Sequence, residues 1–259
     1  MGKKIIQITH NMASERCAMK FKSIITNPLL VGIISAIFGA FLGSYLTWYL
    51  SERPKEKKAG VVFNARIENA EGLLEKNMPK DALKECNDLL EEVSVVEYPE
   101  IYARIKRNEG LCYFNLTKEW NKKTWDKVDD LKRAIHAFDE ALKVYTVEKY
   151  PVDYATTQNN LGHAYSSLSE FTGILENGTK AVLAYEEALK TYTVEKYPVD
   201  YATVQWNLGS AYSRLAKVWE KEKNVKKAIR SYEEALTFYT VEEYPSHYKR
   251  IRSNIEKVK

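Results

Sequence analysis

The sequence predicts an all-α protein in which one membrane-spanning helix precedes a stack of helical hairpins, closed at the C-terminus by a lone capping helix. Three observations carry this. An apolar run from Leu29 to Leu50 contains no acid or base. Beyond it the chain repeats itself at an offset of 47 residues. Within each repeat, apolar residues recur at three- and four-residue spacing, the period of an amphipathic helix packed on one side.

Residues 1–28 form a basic tail. Over residues 1–50, Lys3, Lys4, Arg16, Lys20 and Lys22 face a single acid, Glu15. The chain of 259 residues holds 39 Lys+Arg and 35 Asp+Glu, so removing that stretch leaves 34 of each in 51–259. A neutral body argues against nucleic acid as a partner, because clustered positive charge is needed to displace phosphate counterions. Cys17, Cys86 and Cys112 are scattered and have no metal-ligand spacing. They read as small buried apolar groups, with a single Cys86–Cys112 bridge left open.

Residues 29–50 come next. As a helix they reach about 33 Å, close to the hydrocarbon thickness of a bilayer. Asn27 and Pro28 suit the first turn, and Tyr45, Trp48 and Tyr49 gather at the far end, where amphipathic rings favour an interface. The 28-residue leader and the length of the run do not suit a cleaved signal peptide, so a retained single-pass anchor is expected. Ser35, Gly39 and Gly43 lie four apart in a small-residue stripe. Such a stripe permits close pairing with another helix, a second copy of this one included, although glycine is common in membrane helices anyway. Arg53, Lys55, Lys57 and Lys58 slightly outweigh Arg16, Lys20 and Lys22, which places the body on the cytoplasmic side; the sequons at Asn115 and Asn177 point the other way.

A charged linker, 51–60, leads to the hairpins. ALKVYTVEKYPVDYATTQNNLGHAYSSL, starting at Ala141, recurs as ALKTYTVEKYPVDYATVQWNLGSAYSRL from Ala188, with 23 of 28 positions identical. A third copy opens at Ala235, and a diverged one, EYPEIYARIKRNEGLCYF, at Glu97. The units run over about 61–97, 98–149, 150–196 and 197–243, with a cap at 244–259. The first helix of a unit opens at a proline (Pro99, Pro151, Pro198, Pro245), where the missing N–H has no helical partner. Asp153 and Asp200 follow in the first turn, at the positive end of the helix dipole. Asn177-Gly178 is expected to turn the third hairpin.

These residues resemble the tetratricopeptide repeat. Its signature is matched by Leu161-Gly162, Tyr165, Ala181, Tyr185 and Ala188, and again by Leu208-Gly209, Tyr212, Ala228, Tyr232 and Ala235. Gly110, Tyr113, Ala134, Phe138 and Ala141 match less fully, since Glu109 stands where leucine is usual. Ala70, Leu73, Ala82, Cys86 and Leu89 form the weakest unit. The resemblance covers about 61–259 and implies a right-handed solenoid with a concave, peptide-binding groove. The units are longer than the family's usual 34 residues and are most similar to the longer repeats of kinesin light chains and related scaffold proteins. The family's Lys/Arg/Asn clamp for chaperone C-termini is not matched.

The two near-identical copies differ at five positions, three of which, Asn159/Trp206, His163/Ser210 and Ser167/Arg214, fall at i, i+4, i+8 on the first helix. In the resembled family that stripe faces the groove. Arg104, Arg107, Asn115 and Arg250 occupy comparable places and should make one end basic. Beside them runs an asparagine ladder, Asn108, Asn160, Asn207 and Asn254, whose amides both donate and accept and so suit either an extended peptide backbone or a neighbouring helix. No phosphate loop, HExxH or nucleophile elbow is present, and His10, His136, His163 and His247 lie far apart. A non-enzymatic, cofactor-free and metal-free scaffold or adaptor for a protein partner is expected. The alternative is a structural protein that assembles through its apolar helix and its hairpins.

Overall fold

A computed structural model of the chain describes residues 59–119 and 121–259. Among the described residues there are nine helices and no strand. They are α1 (59–75), α2 (Pro79–Glu92), α3 (Pro99–Leu116), α4 (Thr124–Leu142), α5 (Pro151–Leu168), α6 (Ile174–Ala188), α7 (Pro198–Leu215), α8 (Lys221–Leu236) and α9 (Pro245–Val258). Residues Gly60–Lys259 make one compact unit. Each helix from α2 onward packs on its neighbours in sequence, Arg66 of α1 pairs with Glu85 and Glu92 of α2, and the first helices α3, α5, α7 and α9 also touch one another in turn. Contacts that connect only neighbours define an all-helical repeat array.

The membrane-anchored architecture expected from the sequence is corrected. Among the described residues, no helix is long and apolar enough to cross a membrane, because each keeps a polar face beside its buried stripe. The run 29–50 on which that expectation rested, with Ser35, Gly39 and Gly43, lies outside the described residues. The fold is therefore stated as an all-helical repeat, and the single-pass location is withdrawn with the anchor.

Proline sets the helix starts. Pro79, Pro99, Pro151, Pro198 and Pro245 each open a helix. A proline ring excludes the preceding residue from helical backbone. Tyr98, Tyr150, Tyr197 and Tyr244 accordingly share φ between −130° and −139° and ψ between 58° and 62°. The loops that join hairpins repeat this geometry. In each, the tyrosine N–H donates to the carbonyl of a Ser or Thr four residues back, at 2.9 Å (Ser94, Thr146, Thr193, Thr240). Edge-to-face rings brace three of them: Tyr145 on Tyr150, Tyr192 on Tyr197 and Tyr239 on Tyr244, with centroids 5.4 to 5.5 Å apart.

The third hairpin does not turn at Asn177-Gly178. Both residues are buried inside α6, and the turn lies at 169–173, with Gly173 left-handed at φ 58°. Asn177 faces back into the turn and donates from Nδ2 to the Thr172 carbonyl at 2.8 Å. Gly178 lets α7 approach, since a Cβ there would sit 2.8 Å from Leu215 Cδ2. The fourth hairpin repeats the arrangement. Asn224 donates to the Trp219 carbonyl at 2.7 Å, and Glu220, at φ 41°, takes the place of Gly173.

The core of the second, third and fourth hairpins forms where a glycine of the first helix meets an aromatic ring of the second. A Cβ on Gly110 would lie 2.5 Å from the Phe138 ring, one on Gly162 2.6 Å from Tyr185, and one on Gly209 2.7 Å from Tyr232. Ala134, Ala141, Ala181, Ala188, Ala228 and Ala235 are fully buried around these rings, where larger side chains would hold the helices apart. Gly162→Ala is expected to destabilise the array by about 1–3 kcal/mol through overpacking. Gly72→Ala, at a helical site with nothing within 4 Å of the added methyl, is expected to stabilise it by about 0.5–1 kcal/mol. Denaturant unfolding monitored by circular dichroism distinguishes the two, and a neutral Gly162 variant would refute the close approach.

Candidate functional site

The row of first helices brings most of the candidate groove residues to one face, where they meet one another in addition to solvent. Between α1 and α3, Arg104 forks onto Glu71, with Nε at 2.9 Å from Oε1 and Nη2 at 2.6 Å from Oε2, while Nη1 reaches Asn64 Oδ1 at 3.4 Å. The buried Asn108 adds a donor to Glu71 Oε1 at 3.1 Å. Burial of the Glu71 carboxyl works against ionisation, but these donors outweigh it and hold its pKa below the usual carboxylate range.

Between α3 and α5, Arg107 Nη1 pairs with Asp153 Oδ1 at 2.5 Å, and its guanidinium lies 5.7 Å from the Tyr145 ring centre. His163 stacks on Phe114, with centroids 6.0 Å apart, and meets the edge of Tyr185 at 6.1 Å. Asn115 is engaged within its own turn, accepting from Lys118 Nζ at 2.8 Å.

Between α5 and α7, Asn207 Nδ2 donates to Asn159 Oδ1 at 3.2 Å. Arg214 donates to the Ser166 carbonyl and to Ser169 Oγ, and pairs with Glu170 Oε1 at 2.8 Å. Asn160 is half-buried, and among the described residues no hydrogen bond joins its side chain to a neighbouring helix. Between α7 and α9, the exposed Arg250 lies over the half-buried Trp206, its guanidinium carbon 4.9 Å from the ring centre, and His247 meets the same ring at 5.7 Å.

Two readings of this face therefore change. The arginine end is not a free basic patch, because Arg104 and Arg107 each hold a carboxylate. The asparagine ladder is in part structural: Asn108 and Asn207 give their amides to the preceding first helix. The partners Glu71 and Asp153 were not singled out from the sequence as bridging residues. The repeat register gave no signal for Glu71, which stands three residues after Glu68, the α1 equivalent of Asn108 when Ala70 is aligned with Gly110.

Cys86 and Cys112 are both free and buried, so the bridge left open is not formed. A hydrogen bond with Cys112, followed by burial, pushes the Cys86 thiol up, away from the reactive thiolate. Asn177 is buried and anchored in its turn, out of reach as a sequon. Among the described residues no three His, Cys, Asp or Glu side chains gather as metal ligands. No protein-family model matches the chain, and no curated protein matches it.

His163 gives the face a pH dependence. Burial lowers its pKa and outweighs the opposing hydrogen bond that the imidazole donates to Asn207. As pH falls through the ordinary histidine range near about 6.5, the unfolded chain takes up the proton before the folded one. Stability therefore falls with pH from that point until the folded imidazole is protonated too. Thermal melts between pH 7.5 and 5.5 should show this fall in the wild type and a flatter profile in His163→Gln. Parallel profiles would count against the assignment.

Proposed function

We propose that the chain is a tetratricopeptide-type scaffold that holds an extended segment of a partner protein along the face made by its first helices. The observation that carries this reading is where the repeats differ. Two copies identical at 23 of 28 positions place three of their five differences on one stripe of that face. Residues that only hold the array together are retained, while the stripe varies in size, charge and hydrogen bonding. The packing of Gly162 on Tyr185 and Gly209 on Tyr232, at the positions that carry the repeat signature, supports the family resemblance.

The inter-helix bridges narrow the candidate contact region. Arg104, Arg107, Asn108, Asn159, Asn207 and Arg214 are engaged across the stack, which leaves Asn160, Trp206 and Arg250 as the contacts best able to serve a ligand. A flat indole with a cation above it suits an apolar or aromatic side chain flanked by an acid. With the N-terminal arginines neutralised, a mixed-charge segment fits better than a strongly acidic one. The role proposed is binding without catalysis.

Quantitative crosslinked pull-down with the full chain tests this against Asn160→Ala, Trp206→Ala and Arg250→Ala together. Recovery of partner proteins is expected to fall by about tenfold or more while the melting transition stays in place. Unchanged recovery of the same partners by the triple variant would refute capture on this face.

A further inference from the structure

The array has two long edges that are chemically opposite. Its helices are 14 to 19 residues long, which sets the hairpin turns and the inter-hairpin loops at least about 20 Å apart, at opposite helix ends. The loop edge is acidic. Residues 94–100, 144–153, 191–200 and 238–247 together hold eight acids and two lysines. In three successive loops it presents a valine at the same place, Val147, Val194 and Val241, each 37 to 50% exposed. The braced tyrosine pairs fix the backbone that carries them.

The turn edge is basic and richer in aromatic groups. Residues 76–81, 117–127, 169–180 and 216–227 hold twelve lysines and seven acids. Trp125, Phe171, Leu175, Val218 and Trp219 are each at least 40% exposed there. Ile174, Leu175 and Val218, from neighbouring hairpins, line a shallow hollow of about 830 Å³ with Lys180 beside it. A single exposed apolar residue is ordinary on a protein surface. What sets these apart is their recurrence, hairpin after hairpin, on two edges of opposite charge.

We infer that the turn edge of one chain docks on the loop edge of a second copy, valines against the aromatic rim and loop acids against turn lysines. The repeat itself favours this occupant. Both edges belong to the same array and so share one pitch, and a contact made at one hairpin brings the next into register. The contact is head-to-tail and leaves a free turn edge on one side and a free loop edge on the other, so association is open-ended. It uses neither Asn160, Trp206 nor Arg250, and stands apart from capture of a partner segment.

The test mixes isotope-labelled and unlabelled full-length chain with a carbodiimide, which joins a lysine Nζ to a carboxylate as an amide with loss of water. Intermolecular links are expected between Lys221, Lys223 or Lys226 of one copy and Glu195, Glu242 or Glu243 of the other. They should be about tenfold fewer in 0.5 M than in 0.05 M salt, because the contacts are exposed charges. Phe171→Glu with Trp219→Glu disables the turn edge, and Val147→Lys, Val194→Lys and Val241→Lys together disable the loop edge. Each variant alone should lose these links, and a mixture of the two should regain pairs that grow no further than two. Wild-type links confined to other surfaces, links only to a different protein, or a mixture no better than its components would each overturn the inference. Circular dichroism checks that the variants are folded, and if one is not, the wild-type link map decides alone.

Discussion

The array depends on the distance between the two helices of a hairpin, and in three of the four hairpins a glycine–ring contact sets that distance. With no side chain on Gly110, Gly162 or Gly209, the partner ring lies directly on the backbone of the first helix. The fully buried alanines then close the remaining gaps. A hairpin this thin cannot bury its own apolar face, so it stacks, and stacking brings the first helices side by side. The face proposed to hold a partner is a consequence of that contact several steps removed.

A second layer of interactions fixes how the first helices sit against one another. Arg104 on Glu71, Arg107 on Asp153, Asn207 on Asn159 and Arg250 on Trp206 each cross from one first helix to the next. Two are arginine–carboxylate pairs, one is an amide pair and one a cation over a ring, although the backbones they join are near copies. Specialisation of the face and stitching of the stack are thus carried by overlapping residues. That explains why the face keeps only a few positions, in its C-terminal half, whose side chains are not held to a neighbouring helix by an ion pair or hydrogen bond among the described residues.

Much of the fold was legible in the residues themselves. Proline at the head of α3, α5, α7 and α9, glycine and alanine at fixed offsets, and the 47-residue repeat state the hairpin plan, because each encodes a local or nearest-neighbour constraint. Asn177-Gly178 misled because the dipeptide favours turns in isolation, whereas here Leu215 of the next hairpin claims the space over Gly178 and Asn177 closes a turn four residues earlier. Asn224, at the same register with no glycine after it, held the clue. The site was legible less far. Spacing showed which residues share a stripe, but pairing across the stack depends on side chains about one repeat apart, and Asp153 reads as a simple helix-dipole residue until Arg107 is seen against it. The apolar run 29–50 lies outside the described residues, and the anchored architecture inferred from it was not upheld.

The third and fourth hairpins turn at equivalent places with unequal residues. Gly173 adopts a left-handed backbone that a glycine tolerates, whereas Glu220 adopts it with a full side chain. That conformation carries a penalty of roughly 1–2 kcal/mol for an L-residue. In an array whose energies sum over neighbours, the penalty remains local to one hairpin. Near-identical sequences are thereby given graded intrinsic stabilities, and the weaker bend belongs to the segment nearer the C-terminal end.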